Sequence, residues 1–234
     1  MIPWFGWSPA TMHFCEALTA GPLAQPANAV SSLAFCAVGV SLYRTMQEKN
    51  ALLLFPISAF LVGITSFLYH ASWTFFFQVF DVSSMLMLSC LLMSFNAARL
   101  SLVDKRRLPV VYVALLVLSI AALVTLRGKS GEYIFGVEIA LVAAMEAVLA
   151  RRRLGTDYAP FLKALAVFLA AYAIWLTDVH ELVCAPDNHY LQGHAVWHVL
   201  NAFCFYFLYR FYRQFDLVQS SHAIPVGETD AHRA

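Results

Sequence analysis

Three histidines, an aspartate and a serine in this sequence have the types and spacing for metal-assisted hydrolysis. His194 and His198 stand four residues apart in Gly193-His194-Ala195-Val196-Trp197-His198, opening an apolar run that reaches about Tyr209, so both imidazoles project from one face of one helix. His70 closes another apolar run, Gly63-Ile64-Thr65-Ser66-Phe67-Leu68-Tyr69-His70, with Ser66 one turn earlier on the same face, and Asp81 opens the next run, in Gln78-Val79-Phe80-Asp81. Three neutral imidazoles with an open fourth position describe a catalytic zinc site, whereas a structural site closes that position with a protein ligand. Zinc brings the pKa of a bound water to about 7. Asp81 could orient that water and pass its proton to a leaving amine, and Ser66 could hydrogen-bond the oxyanion formed at a carbonyl.

Each of these residues also has a structural role open to it. A His-x-x-x-His pair can be two interfacial side chains, a serine in a membrane helix often bonds a carbonyl one turn back, and Asp81 could cap its helix. The metal reading depends on whether the elements carrying these residues bring them to one depth.

Composition says what those elements are. The chain has 234 residues, 61% hydrophobic and 12% charged, against roughly 25% charged in soluble domains, which points to a membrane protein. No basic patch marks a nucleic-acid surface. A spanning helix needs about 20 mostly apolar residues, and seven stretches qualify, at roughly 27–45, 52–70, 78–98, 108–126, 132–150, 160–178 and 194–212. Counting Lys and Arg on alternate sides of seven spans leaves thirteen on one side and only Arg127 and Lys129 on the other. The positive-inside rule then puts the N-terminus outside and the C-terminus in the cytoplasm. On that topology His70, Asp81, His194 and His198 all lie at the outer ends of their helices. Ionisable groups are costly inside a membrane, so several at one level suggest mutual satisfaction or a shared ion.

The expected organisation is one seven-transmembrane helix bundle, an all-α membrane protein, over 27–212. An interfacial N-terminal cap covers 1–26, with Trp4, Phe5 and Trp7 at headgroup level, and a polar, disordered cytoplasmic tail covers 213–234. Cys36, Cys90 and Cys204 fall inside helices and read as core residues. Cys15 and Cys184 both fall on the outer side, where an oxidising compartment would let them pair; two unrelated thiols are the alternative. Asp178, at the end of the sixth helix, could hydrogen-bond a zinc-bound histidine. His180 and His189 lie in or near a loop, where solvation suffices for them. Glu138 and Glu146, two turns apart in the fifth helix, face the interior or pair with Arg or Lys, and no chemistry is read from them.

The order Cys15-Glu16, Asn28 in Pro-Ala-Asn-Ala-Val-Ser-Ser, Gly-x-x-Ser-x-x-x-His at 63–70, Asp81 with Met85, Trp175-x-x-Asp178, Cys184, and His-x-x-x-His at 194–198 resembles the alkaline ceramidases. These are seven-helix membrane amidases of a superfamily that includes the adiponectin-type receptors. The resemblance implies Zn2+ held by His70, His194 and His198, Ser66 and Asp81 beside the bound water, and a Cys15–Cys184 disulfide. It also implies a long-chain N-acyl lipid that enters sideways from the bilayer. One departure concerns calcium, which the family binds through oxygen ligands near its N-terminus. Glu16 is kept, but His13, Leu18 and Gln25 stand at the other positions, and a hard cation favours oxygen donors, so no family-type calcium site is expected. Val82 stands where an acidic residue often follows the family's aspartate.

The expected activity is zinc-dependent hydrolysis of the N-acyl bond of ceramide or a related N-acyl lipid in the outer leaflet. The alternative is a receptor or sensor whose zinc pocket holds lipid without turnover.

Overall fold

A computed structural model describes residues 8–46, 51–126, 130–152 and 155–215. Trp4, Phe5 and Trp7 of the expected cap, and the expected tail from residue 216, lie outside the described residues. Seven α-helices organise the rest: α1 (Pro26–Thr45), α2 (Leu54–Ser72), α3 (Phe75–Arg99), α4 (Leu108–Leu126), α5 (Ser130–Arg151), α6 (Ala159–Val179) and α7 (Gly193–Tyr212). The first six are long and apolar enough to cross a membrane, giving an all-helical, multi-pass membrane architecture. The last, at 20 residues, is about 30 Å long by its rise, but His194, His198, Asn201 and Arg210 lower its apolarity. His194 and His198 are buried, whereas Arg210, at the other end of the helix, is exposed.

The chain starts α1 at Pro26, where a fixed φ and a missing N–H suit the first turn. Its pairing with α2 is close because two glycines remove side chains from the contact. A methyl at Gly39 would lie 2.9 Å from the Pro56 carbonyl oxygen, and one at Gly63 would lie 2.8 Å from the Cys36 backbone nitrogen. Between α2 and α3 the chain reverses through Trp73 in a left-handed conformation, φ 52° and ψ 42°, which is strained for a bulky residue. Trp73 is held there by stacking on Tyr69 and by the Ala10 N–H, which donates to its carbonyl at 3.2 Å. Thr74 then caps α3, its Oγ1 accepting from the Phe77 N–H. The helix therefore begins at Phe75, earlier than apolarity suggested, and Asp81 lies in its second turn instead of at its cap.

The principal packed pairs are α1 with α2, α2 with α3, α1 with α7 and α6 with α7, while α3 also carries α4 and α5. Among the described residues α5 and α6 form no extended pair. The far end is tied across that gap: Arg99 of α3 forms an ion pair with Glu146 of α5, and Glu146 also accepts from Tyr212 Oη of α7 at 3.0 Å and from Tyr158 Oη at 3.3 Å. Glu138 instead takes hydrogen bonds from Ser89 and Ser119. At the near end, residues 8–25 lace across the α2–α3 turn, with the Phe75 N–H donating to the Ser8 carbonyl and the Ala24 N–H to the Ala71 carbonyl, both at 2.9 Å.

Candidate metal centre

His70 comes from the last turn of α2 and His194 and His198 from the first turns of α7, and α1 lies between these helices. The three imidazoles are 0%, 5% and 4% exposed, and one ligand atom from each falls within 4.8 Å of the others. His70 Nε2 and His194 Nε2 are 3.2 Å apart.

The remaining ring nitrogens show which atoms are free to bind. His198 Nδ1 lies 2.9 Å from Ser31 Oγ and 3.3 Å from Ser32 Oγ. The Ser31 hydroxyl donates to the Asn28 carbonyl, so its oxygen accepts from His198 Nδ1–H and leaves Nε2 unprotonated, while the single Ser32 hydrogen lies between the Asn28 carbonyl and Ser66 Oγ. His70 Nδ1 faces Gln25 Oε1 at 2.8 Å. His194 Nδ1 is buried with no partner, and Phe14 lies flat on its ring, centroids 3.8 Å apart. Buried imidazole nitrogens converging on one point fit a cation that favours nitrogen ligands.

Ser66 faces this cluster, and Asp81 is linked to it through Ser66. Ser66 Oγ lies 3.4 Å from His198 Nε2 and 3.0 Å from Ser32 Oγ, so it is turned toward the cluster. The buried Asp81 carboxyl interacts with the Ser66 hydroxyl, while its Oδ1 has no partner. A buried carboxylate oxygen left without a donor is costly in a merely structural role. The Tyr69 hydroxyl is also buried without a partner.

Asp178 works through the main chain. Its Oδ2 accepts from the His194 N–H at 2.9 Å and its Oδ1 from the Cys15 N–H at 3.0 Å. It thereby satisfies a donor at the start of α7 and ties α6, α7 and the N-terminal segment together beside the histidines. Cys15 and Cys184 form a disulfide that fastens this segment to the α6–α7 loop. Glu16 accepts from the Ala27 and Asn28 N–H groups at 2.8 and 2.9 Å, and His189 Nδ1 lies 3.1 Å from its Oε1. The Glu16 carboxylate thus sits on the positive end of α1, and His189 has a carboxylate partner where solvation alone was expected.

The contacts of Gln25, Ser31, Ser32 and Phe14 with the histidines were not expected from the sequence. Pro26 offered a signal for the first three, because it marks the start of a helix whose first turns carry both serines and whose preceding residue is Gln25. Nothing local marked Phe14.

The sequence model of the Ceramidase family matches residues 7–226. The chain belongs to the ceramidase family. It is also 25% identical over 242 aligned positions to the Alkaline ceramidase YPC1 of Saccharomyces cerevisiae, covering 87% of this chain and 75% of the yeast protein. The family match takes in all three histidines, Ser66, Asp81 and both cysteines of the disulfide, and extends to both sides of the bundle, so this ceramidase-family chain is matched over its fold and not over an isolated motif.

Proposed function

We propose that this chain is a zinc-dependent hydrolase that cleaves the N-acyl bond of ceramide or a related N-acyl lipid, releasing a sphingoid-type amine and a free fatty acid. The observation that carries the reading is the convergence of three buried imidazoles on one point with Ser66 beside them and the half-unpartnered Asp81 linked through Ser66. Family membership supports the substrate class.

His70, His194 and His198 are the residues that would hold zinc, whose chemistry is to acidify a water and polarise a carbonyl. The rest falls to side chains. Ser66 Oγ donates to the amide carbonyl oxygen as negative charge develops there. Asp81 Oδ1 takes the proton of the attacking water as its oxygen bonds to the carbonyl carbon, then returns it to the nitrogen as the C–N bond breaks. Phe14 and the disulfide-anchored segment cover the histidines and keep bulk water from them. The absence, among the described residues, of an extended α5–α6 pair supports sideways entry of a lipid from the bilayer.

The same reading assigns 1–26 as an extracytoplasmic cap, 27–212 as the seven-helix hydrolase domain, and 213–234 as a cytoplasmic tail. The site then lies toward the extracytoplasmic face, supported by thirteen Lys and Arg against two on opposite sides. A panel of N-acyl lipids incubated with purified wild type and Asp81→Asn tests the activity. Free fatty acid released by wild type and not by the variant supports the hydrolase. Tight lipid binding with no product from either protein would replace it with a lipid-binding receptor.

A further inference from the structure

Gln25 is 1% exposed and touches His70 twice. Its N–H donates to the His70 carbonyl at 2.9 Å, and its side-chain Oε1 lies 2.8 Å from His70 Nδ1. The orientation of the amide is set independently, because Nε2 lies 2.8 Å from the Glu16 carbonyl oxygen, and a carbonyl oxygen only accepts. The NH2 group therefore belongs on Glu16 and the oxygen on His70. An amide oxygen has no hydrogen to offer, so His70 Nδ1 must carry one, and the Nε2 lone pair is left pointing at the cluster. Asn28 Nδ2, 3.3 Å from the same Oε1, donates a second hydrogen bond to it.

We propose that Gln25 is a positioning residue for the metal site, fixing the tautomer and ring rotation of His70 so that Nε2 is presented to the ion. The inference rests on the three-histidine reading of the site. It is separable from a packing role because the main-chain bonds that hold this segment, Gln25 to His70 and Ala24 to Ala71, do not use the Gln25 side chain. Losing that side chain should spare the segment and free the imidazole. Gln25 stands at one of the positions whose change from the family pattern argued against a calcium site, and its amide faces a nitrogen ligand.

The test uses full-length purified protein carrying Gln25→Leu, Gln25→Glu or His70→Ala, titrated with graded chelator and read as bound zinc, with visible spectra of the cobalt-substituted forms. Gln25→Leu should weaken zinc about 10–100-fold, and Gln25→Glu, which keeps an acceptor for Nδ1–H, should stay within about threefold of wild type. The cobalt spectrum should change in Gln25→Leu and not in Gln25→Glu. Wild-type affinity in Gln25→Leu, beside zinc loss in His70→Ala, would overturn the Gln25 proposal alone. Equal loss in both Gln25 variants would also overturn it and assign the residue to packing. Full zinc retention in His70→Ala would overturn the metal site itself.

Discussion

His70 and His194 hold their Nε2 atoms 3.2 Å apart, both rings buried and one of them with its other nitrogen unpartnered. The His70 Nε2 lone pair faces His194 Nε2 at that distance, so the pair shares either the His194 Nε2–H or a cation. Ligand that binds only the folded state stabilises it by mass action, about 4 kcal/mol at a thousandfold excess over Kd. Stripping metal with a strong chelator should therefore lower Tm, and adding zinc should restore it. In His198→Ala the metal effect on Tm should vanish and hydrolysis should fall by more than about 10³-fold. Full hydrolysis by a zinc-free His198→Ala protein would end the metal account.

In the proposed mechanism Asp81 and Ser66 act on substrate and do not hold the ion, so their loss should separate binding of metal from chemistry. Asp81→Asn should keep about one zinc per chain while kcat falls about 10²–10⁴-fold. Ser66→Ala should lose about 10²–10³-fold. Zinc content by elemental analysis, with fatty-acid release on the same samples, checks both.

Asp178 is pressed against the start of α7: a methyl at Gly193 would sit 2.9 Å from Asp178 Cβ and 3.1 Å from its Oδ2. Gly193→Ala should cost about 1–3 kcal/mol through overpacking and loosen zinc by displacing His194. Asp178→Ala leaves the buried His194 and Cys15 N–H groups unpaired, at about 1–3 kcal/mol each. Thermal unfolding with and without zinc measures both effects.

The Cys15–Cys184 disulfide holds the segment whose Phe14 ring covers His194. Cys184→Ser should lower stability by about 2–4 kcal/mol and speed zinc exchange, because the cover over the histidines is no longer tethered. Unchanged exchange of radiolabelled zinc would show that Phe14 stays in place without the disulfide.

At the other end, Arg99 and Glu146 are both buried and ion-paired. Glu146→Leu should cost about 3–5 kcal/mol by leaving Arg99 unneutralised, and adding Arg99→Met should recover most of it. Equal stability of the single and double variants would mean that the aromatic rings around Arg99, Phe215 nearest at 3.8 Å, are enough to hold it.

The sequence by itself determined seven helices, six of them long and apolar enough to cross a membrane, the pairing of His194 with His198 on one helix face, and the placing of Ser66 one turn from His70. All of these follow from local periodicity and from the demand of a bilayer for about 20 apolar residues per helix. It also pointed to Asp81 and to Cys15 with Cys184 through motif order. Tertiary structure alone decided the partners. Gln25 and His70 are 45 positions apart, and nothing in either neighbourhood tells an amide which imidazole it will meet. Glu138 and Glu146 show the same limit within one helix: they lie two turns apart on α5, yet one reaches two serines and the other an arginine. A buried polar group takes whatever donor the packing of other helices brings within about 3 Å, and that packing is a property of the whole bundle.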